Sequence, residues 1–448
     1  GPRLAAVLIG LMTYVLLFGL LIAAARPEQY DLRVGQVSPL TITATKDVED
    51  TVTTQQLIDA AVAAVQPNYI TDTTVMPKVL ENLENAFAAM EAIRALQTEN
   101  GALTDESAVF PTHREAIARM LRQLTDTVLP DLSALDCVGF KVVLAKGISG
   151  VQVLTDDVLS SMEAFSSIAP AHNPPYLAAI RQFRALLPGT PLIGAFETAF
   201  HRTMPPEAYY YSIPIEISRN YDIRRNGFHG ASIEYMTQWT QERMEREDLK
   251  LVVCHLGGSG SICAVKNGRS IDTSLGLTLQ CGTMHNNRCG DIDPYIIFYL
   301  VESCGMTLEE VKDMLQTKSG LYGMSGGAGR DMRDVQAAAE AGNEDAELAI
   351  RAYCYSIKKY IGSYAAAMGG LDAIVFGGGI GLGSALVRAL SLEGLEFLGV
   401  KLDGFKNRMA IAGMDISMED APVRVFTVHT DEEIVVARKA AALLQKQA

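Results

Sequence analysis

The chain has 448 residues, a net charge of −14, and 48% hydrophobic against 20% charged residues. That composition supports a large folded core and excludes a mostly disordered chain. The acidic balance, with no long Lys/Arg run, argues against nucleic-acid binding. Seven cysteines, all at or after Cys137 and none in a C-x-x-C pair, argue against a disulfide scaffold and a zinc site.

Leu4–Ala25 is an uncharged apolar run interrupted only by Gly10, Thr13, Tyr14 and Gly19. At about 1.5 Å per residue a helix of this length reaches roughly 30 Å, the thickness of a bilayer core. It exceeds the apolar core of about 7–15 residues of a signal peptide. The expectation is therefore a transmembrane helix over 4–25. Arg3 and Arg26 flank it, one at each end, which leaves its orientation open.

Residues 26–100 read as a small, mainly helical segment. Thr51 or Thr53 caps a helix through Leu57–Val65, and Pro67 stops it. Pro77 opens a second, with Val79, Leu80, Leu83, Phe87, Met90 and Ile93 at helical spacing. The segment has no His, Cys or glycine-rich loop, so it carries no evident chemistry. Gly101, Thr104, Asp105, Ser107 and Pro111 make residues 101–112 the expected junction. Beyond it, helices alternate with short β-branched strands at Val138–Leu144, Leu251–His255 and Ala373–Phe376. Strands that each run into a glycine turn imply an α/β fold.

Candidate chemistry lies in this second part. Ala171-His172-Asn173-Pro174-Pro175 reads as a tight turn. Glu197, in the apolar stretch Ala195–His201, is either a base with a raised pKa or a satisfied buried acid. His229 stands exposed between glycines in Gly227-Phe228-His229-Gly230 and is structural or catalytic. His255-Leu256-Gly257-Gly258-Ser259 ends a strand in a turn whose N–H groups can approach a phosphate. An ordinary hairpin is the alternative, because a strand follows and Asn267-Gly268 is a turn signal. In Asn286-Asn287-Arg288-Cys289-Gly290-Asp291-Ile292-Asp293-Pro294, Arg288 suits a phosphate clamp. The two carboxylates there could orient it or cap a helix starting near Pro294. Val375–Ser384 places a second glycine turn between a strand and a helix, suited to a nucleotide or to close packing.

Taken in order, Glu197, His229, the turn after His255, Arg288, Asp331-Met332-Arg333, the second glycine turn and Thr430-Asp431-Glu432-Glu433 resemble the acetate kinase (acetokinase) family. The resemblance runs from about Phe110 to the C-terminus. It implies a two-domain fold of the acetate and sugar kinase, heat-shock protein and actin (ASKHA) superfamily, with residues 113–200 a partial first domain and 201–448 the second, bearing the nucleotide cleft. It implies phosphoryl transfer between ATP and a short-chain carboxylate such as acetate or propionate, giving an acyl phosphate and ADP, with Mg2+. By the same resemblance His229 and Arg288 stabilise the transition state, beside a catalytic carboxylate at Glu197. His255, Leu256, Gly257, Gly258 and Ser259 form the phosphate turn. Asp331, Met332, Arg333 and Gly379, Ile380, Gly381, Leu382 and Gly383 contact the adenosine, and Glu432 binds the metal. A homodimer with its kinase portion in the cytoplasm is also implied.

The chain departs from the family pattern. Glu197 replaces an aspartate, Lys141 replaces the substrate-binding arginine, Ile233 replaces a second histidine, and Leu382-Gly383 replace Glu-Asn. The family's opening strand N-x-G-S-S-S-x-K is not found, so the first domain is expected to be incomplete, with an uncovered sheet edge. In its place, residues 3–100 resemble the first membrane helix and extracellular segment of seven-transmembrane HD phosphodiesterases, on Gly35-Gln36-Val37 and Thr53–Tyr69. That would put the N-terminus at the membrane. The alternative functions are a membrane-anchored nucleotide-binding or signalling protein without turnover, or a joining of two partial genes.

Overall fold

A computed structural model of the chain describes residues 4–11, 18–25, 113–127, 129, 131–170 and 172–447, which all belong to one compact unit. The helical segment 26–100 and the junction 101–112 expected from the sequence lie outside the described residues.

Two sheets organise the unit. The first has the order β2-β1-β3-β5-β4, from strands β1 (Leu4–Leu11), β2 (Phe18–Ala25), β3 (Cys137–Val142), β4 (Val151–Val153) and β5 (Leu192–Phe196). β1, β3 and β5 run parallel, and β2 and β4 are antiparallel edges. β5 is buried throughout, and β3 everywhere except Lys141, the near-continuous apolar pattern of parallel strands covered on both faces. Helices Asp156–Ala164 and Asn173–Leu186 close one face through Met162, Ile180 and Phe183, the last edge-on to Phe140 at 5.3 Å. Helix Glu432–Gln447 closes the other through Val436, Ala437 and Ala440 on Cys137, Ile193 and Ala195.

The expected transmembrane helix is not formed. Leu4–Ala25 gives β1 and β2, paired from Leu4 with Ala25 to Leu11 with Phe18, and β1 continues the sheet from Ala6 on Cys137 to Ile9 on Phe140. Among the described residues no helix is long and apolar enough to cross a membrane. An apolar run satisfies a central parallel strand as well as it does a bilayer, and hydropathy alone does not separate the two. The edge of β3, expected to be bare, is covered by β1.

The second sheet has the order β10-β11-β9-β6-β7-β8, from β6 (Lys250–Leu256), β7 (Gly260–Lys266), β8 (Arg269–Thr273), β9 (Ala373–Gly377), β10 (Met414–Asp415) and β11 (Arg424–Thr427). β11, β9 and β6 are parallel, while β6, β7 and β8 form a meander. Asn267 and Gly268, at φ 53° and 74°, make the two-residue turn between β7 and β8. The hairpin reading of this stretch is therefore correct, and its other turn, at Gly257–Ser259, faces the site described below. Helix Glu344–Met368 covers one face through Ile350, Tyr353, Ile357 and Ile361. Helix Gly230–Met244 covers the opposite face through Ile233 and Met236.

The stretch around His172 is not a tight turn. His172 precedes helix Asn173–Leu186, and Pro174 and Pro175 occupy its first turn, where a missing N–H costs nothing. The second glycine turn starts at Gly378 with φ +75°, and a Cβ there would stand 2.6 Å from the Leu256 carbonyl oxygen. Gly378→Ala is therefore expected to destabilise the protein by about 1–3 kcal/mol, read as a lowered melting temperature. Gly379→Ala, with no atom near its Cβ position, is expected to stay within about 0.5 kcal/mol.

Candidate active site

The expected site residues come from the C-terminal ends of β3, β5, β6 and β9, where ligands bind in parallel α/β sheets. Lys141 is on β3. Glu197 follows β5, held there by its N–H to the Val142 carbonyl (2.8 Å) and by its own carbonyl, which accepts from Gly230 (3.1 Å). Glu432 opens helix Glu432–Gln447, and Asp431 caps that helix by accepting from Ile434 N–H at 2.8 Å.

These three charges meet. Lys141 donates to Glu432 Oε2 and lies 3.4 Å from Glu197 Oε1. Glu197 is buried, and neither of its carboxylate oxygens has a hydrogen-bond partner among the described residues. Burial pushes its carboxyl up to about 7, with Lys141 pulling down and Glu432 adding to the rise. Burial also raises Glu432, but Lys141 outweighs it and holds that carboxyl below its ordinary value. Burial opposes the Lys141 ammonium, yet Glu432 and Glu197 keep it well above the usual lysine range.

The opposite side of the site is basic. His229 is half-buried, not exposed as the sequence suggested. It takes the left-handed conformation at φ 57°, directly before helix Gly230–Met244. Its ring stacks on His255 at 4.3 Å between centroids and 17° between planes. His229 Nδ1 contacts Ser261 Oγ at 2.8 Å, and His255 Nδ1 contacts Ser232 Oγ at 2.7 Å. Burial, then the positive charges nearby, holds His229 well below the usual histidine range, and burial lowers His255 as well. Both rings are neutral at pH 7.

Arg288 lies in the loop after β8, whose shape is fixed by His285 N–H to the Arg288 carbonyl and Leu321 N–H to the His285 carbonyl. Burial lowers its guanidinium to about 10, which still leaves it charged. Among the described residues no carboxylate or hydrogen-bond acceptor pairs with that guanidinium. At the turn between β6 and β7, Ser259 Oγ, Asn286 Oδ1 and Thr283 Oγ1 are buried and unsatisfied among the described residues, and a Cβ on Gly258 would stand 3.0 Å from Asn286 Nδ2. Unmet polar atoms beside an open glycine turn suit a phosphate-bearing ligand.

The other expected residues lie beside β9. Asp331 caps helix Met332–Glu340 and grips Arg333 through two contacts of 2.9 and 2.8 Å, while Met332 is buried. Gly379, Ile380, Gly381, Leu382 and Gly383 form a short helix over Gly378–Gly383. Gln336 Nε2 donates to Ser384 Oγ at 3.2 Å and ties the two segments together.

Sequence reasoning missed three residues here. His172 is pushed down to about 4, first by burial and then by Arg288 and Lys141. His285 accepts from Gly260 N–H at 3.1 Å and donates to the Cys281 carbonyl at 3.2 Å, and it too is neutral. Arg388 is buried and donates to the Gly381 and Leu382 carbonyls and to Asn407, bracing the glycine turn. An arginine five residues past a Gly-rich run was the only signal available for the last.

The sequence profile of the acetokinase family matches residues 58–438. The chain belongs to the acetokinase family. The match begins inside the segment assigned above to the phosphodiesterase resemblance. An acetate kinase from Thermotoga maritima is 44% identical over 345 residues, 75% of this chain and 86% of that protein. One from Bacillus velezensis is 43% identical over 350 residues, covering 77% and 88%. Among solved structures, Porphyromonas gingivalis acetate kinase is similar with a TM-score of 0.70 at 35% identity, over 75% of this chain and 86% of that one. A propionate kinase from Francisella tularensis gives 0.69 at 32%, over 73% and 84%.

Removing the ammonium would leave the buried Glu197 carboxylate facing the half-buried one of Glu432. Lys141→Met is expected to destabilise the acetokinase unit by about 3 kcal/mol, measured by denaturant unfolding. Adding Glu197→Gln to that variant is expected to recover part of the loss.

Proposed function

We propose that the chain transfers the γ-phosphoryl group of ATP to the carboxylate of a short-chain acid, giving an acyl phosphate and ADP. The observation that carries this reading is the charged, unpaired Arg288 guanidinium beside two neutral histidines, opposite a buried carboxylate at Glu197 and a half-buried one at Glu432. Phosphoryl transfer builds charge on the three equatorial oxygens of the moving group, so catalysis is mostly positioning and charge stabilisation. Arg288 offers a fork of N–H donors for those oxygens. His229 and His255 are uncharged and so add hydrogen bonding without repelling Arg288. The Gly257–Ser259 turn supplies backbone N–H groups for the phosphates of ATP, and Gly379–Gly383 with Asp331–Arg333 flanks the adenosine. A carboxylate oxygen of the acid attacks phosphorus, the bond to the β,γ-bridging oxygen breaks, and ADP leaves with that electron pair.

Glu197 and Glu432 fit a divalent cation. A buried carboxylate with both oxygens unsatisfied and a half-buried one beside it match the one or two protein ligands that magnesium takes when substrate phosphates complete its shell. Bound there, Mg2+ would offset the charge of the β- and γ-phosphates. Lys141 is held between the same carboxylates and is a point charge, so it offers the acid no bidentate fork. Acetate and propionate differ by one methylene, worth only about 1–3 kcal/mol in a pocket.

A hydroxamate assay with ATP, Mg2+ and acetate, propionate or butyrate tests the reaction. Acyl hydroxamate is expected, with a loss of about a hundredfold or more in Arg288→Ala. Nucleotide binding without any product would favour the non-catalytic alternative.

A homodimer is also proposed. Helix Tyr295–Glu302 is almost wholly apolar and has no buried residue, with Tyr295 74% and Tyr299 64% exposed, a surface that self-association would cover. Phe298→Glu with Tyr299→Glu is expected to shift sedimentation from dimer to monomer.

A further inference from the structure

Each histidine of the stacked pair meets a serine of the scaffold through Nδ1, and the direction of those two hydrogen bonds fixes what the rings present to a ligand. Ser232 is fully buried on helix Gly230–Met244, and its hydroxyl meets no other partner among the described residues than His255 Nδ1. If the ring donated to the hydroxyl, the serine proton would be buried without an acceptor, at a cost of about 1–3 kcal/mol. The serine therefore donates, His255 Nδ1 accepts, and the ring's proton stays on Nε2. That atom lies beside the phosphate turn, 3.8 Å from the Cβ position of Gly257.

Ser261, buried on β7, has two possible acceptors: His229 Nδ1 at 2.8 Å and the Phe228 carbonyl at 3.4 Å. That carbonyl already has a closer donor. His201 is fully buried behind the turn, with Nε2 3.0 Å from the Phe228 oxygen and Nδ1 2.9 Å from Ser270 Oγ. A carbonyl only accepts, so His201 carries its proton on Nε2 and takes the Ser270 hydroxyl at Nδ1. The Phe228 oxygen could accept a second bond, but 3.4 Å is long for a hydroxyl donor whereas 2.8 Å is ordinary, so the short contact takes the Ser261 proton to His229 Nδ1. His229 is then protonated on Nε2, like His255. Gly227, at φ +73°, lets the turn pass over His201: a Cβ there would stand 2.5 Å from its ring.

We propose that Ser261 and Ser232 are positioning residues that lock His229 and His255 in the Nε2–H tautomer, so that both rings donate a hydrogen bond to the transferring phosphoryl group. In the other tautomer each ring would aim a lone pair at phosphate oxygens and repel them. A neutral imidazole needs this outside control, because its two tautomers are close in energy and only the second nitrogen's partner selects one. The proposal rests on the phosphotransferase reading for its catalytic consequence, but the tautomers can be read without turnover.

The test uses the full chain with 15N-labelled histidine. NMR correlation of ring nitrogens with ring protons reports which nitrogen is protonated, and His229→Gln and His255→Gln assign the two rings among the seven histidines. Both are expected as the Nε2–H form. Ser261→Ala is expected to abolish that preference at His229 and leave His255 unchanged. It is also expected to lower kcat about ten- to hundredfold with KM for ATP within about twofold, and Ser261→Thr to restore most of both. An Nδ1–H form of His229 in the unsubstituted protein, or an unchanged tautomer in a folded Ser261→Ala variant, overturns the proposal. If the unsubstituted protein makes no acyl phosphate, the phosphotransferase reading fails while the NMR result still decides the role of the serines.

Discussion

Lys141 holds one ammonium between the buried Glu197 and the half-buried Glu432 carboxylates, and the arrangement of the site depends on that sharing. Glu197 ends β5 and Glu432 starts the helix that packs across the same sheet, so their approach is set by the backbone. Two like charges in a low-dielectric setting cannot both stay ionised unless a cation offsets them. Lys141 offsets one of the two, and the consequence appears at Glu197, whose carboxyl is pushed up to about 7. The Lys141 ammonium and the Glu197 carboxylate meet each other directly.

Across the site the charge logic is reversed. Arg288 stays cationic because a guanidinium is hard to deprotonate even when burial lowers it to about 10. Four histidines, at positions 172, 229, 255 and 285, lie near that charge or near Lys141 and are kept neutral. Protonating any of them would add a second buried positive charge beside the first. The site therefore presents one fork of positive charge surrounded by neutral ring nitrogens, opposite a shared negative pair. That division suits a reaction in which a highly charged group moves a short distance and no proton must be exchanged with the protein.

The backbone makes this division possible. Gly227 and Gly378 sit where a side chain would strike a histidine ring or a carbonyl oxygen, and His229 accepts a left-handed conformation so that its ring leaves the start of its helix toward β6. Arg388 divides its donors between the carbonyls of the second glycine turn and Asn407, which stiffens a segment that glycine alone would leave loose.

The α/β class, the family and the order of the residues proposed to do the chemistry were legible in the sequence, because glycine turns after apolar strands and the motifs around His229, Arg288 and Glu432 are local features. The partners of those residues were not. Glu197 read equally as a base or a satisfied acid until β3 and the last helix brought Lys141 and Glu432 beside it. His172 and His285 carried no local mark, since His172 is set by burial and by the distant charges of Arg288 and Lys141, and His285 by Gly260 and Cys281. The apolar run Leu4–Ala25 shows the limit most plainly. Hydrophobicity by itself determined that the segment must leave water, but whether it does so as a bilayer helix or as paired strands beside β3 was decided only by the tertiary structure. The free edge of that strand offers backbone hydrogen bonds that no property of the run itself encodes.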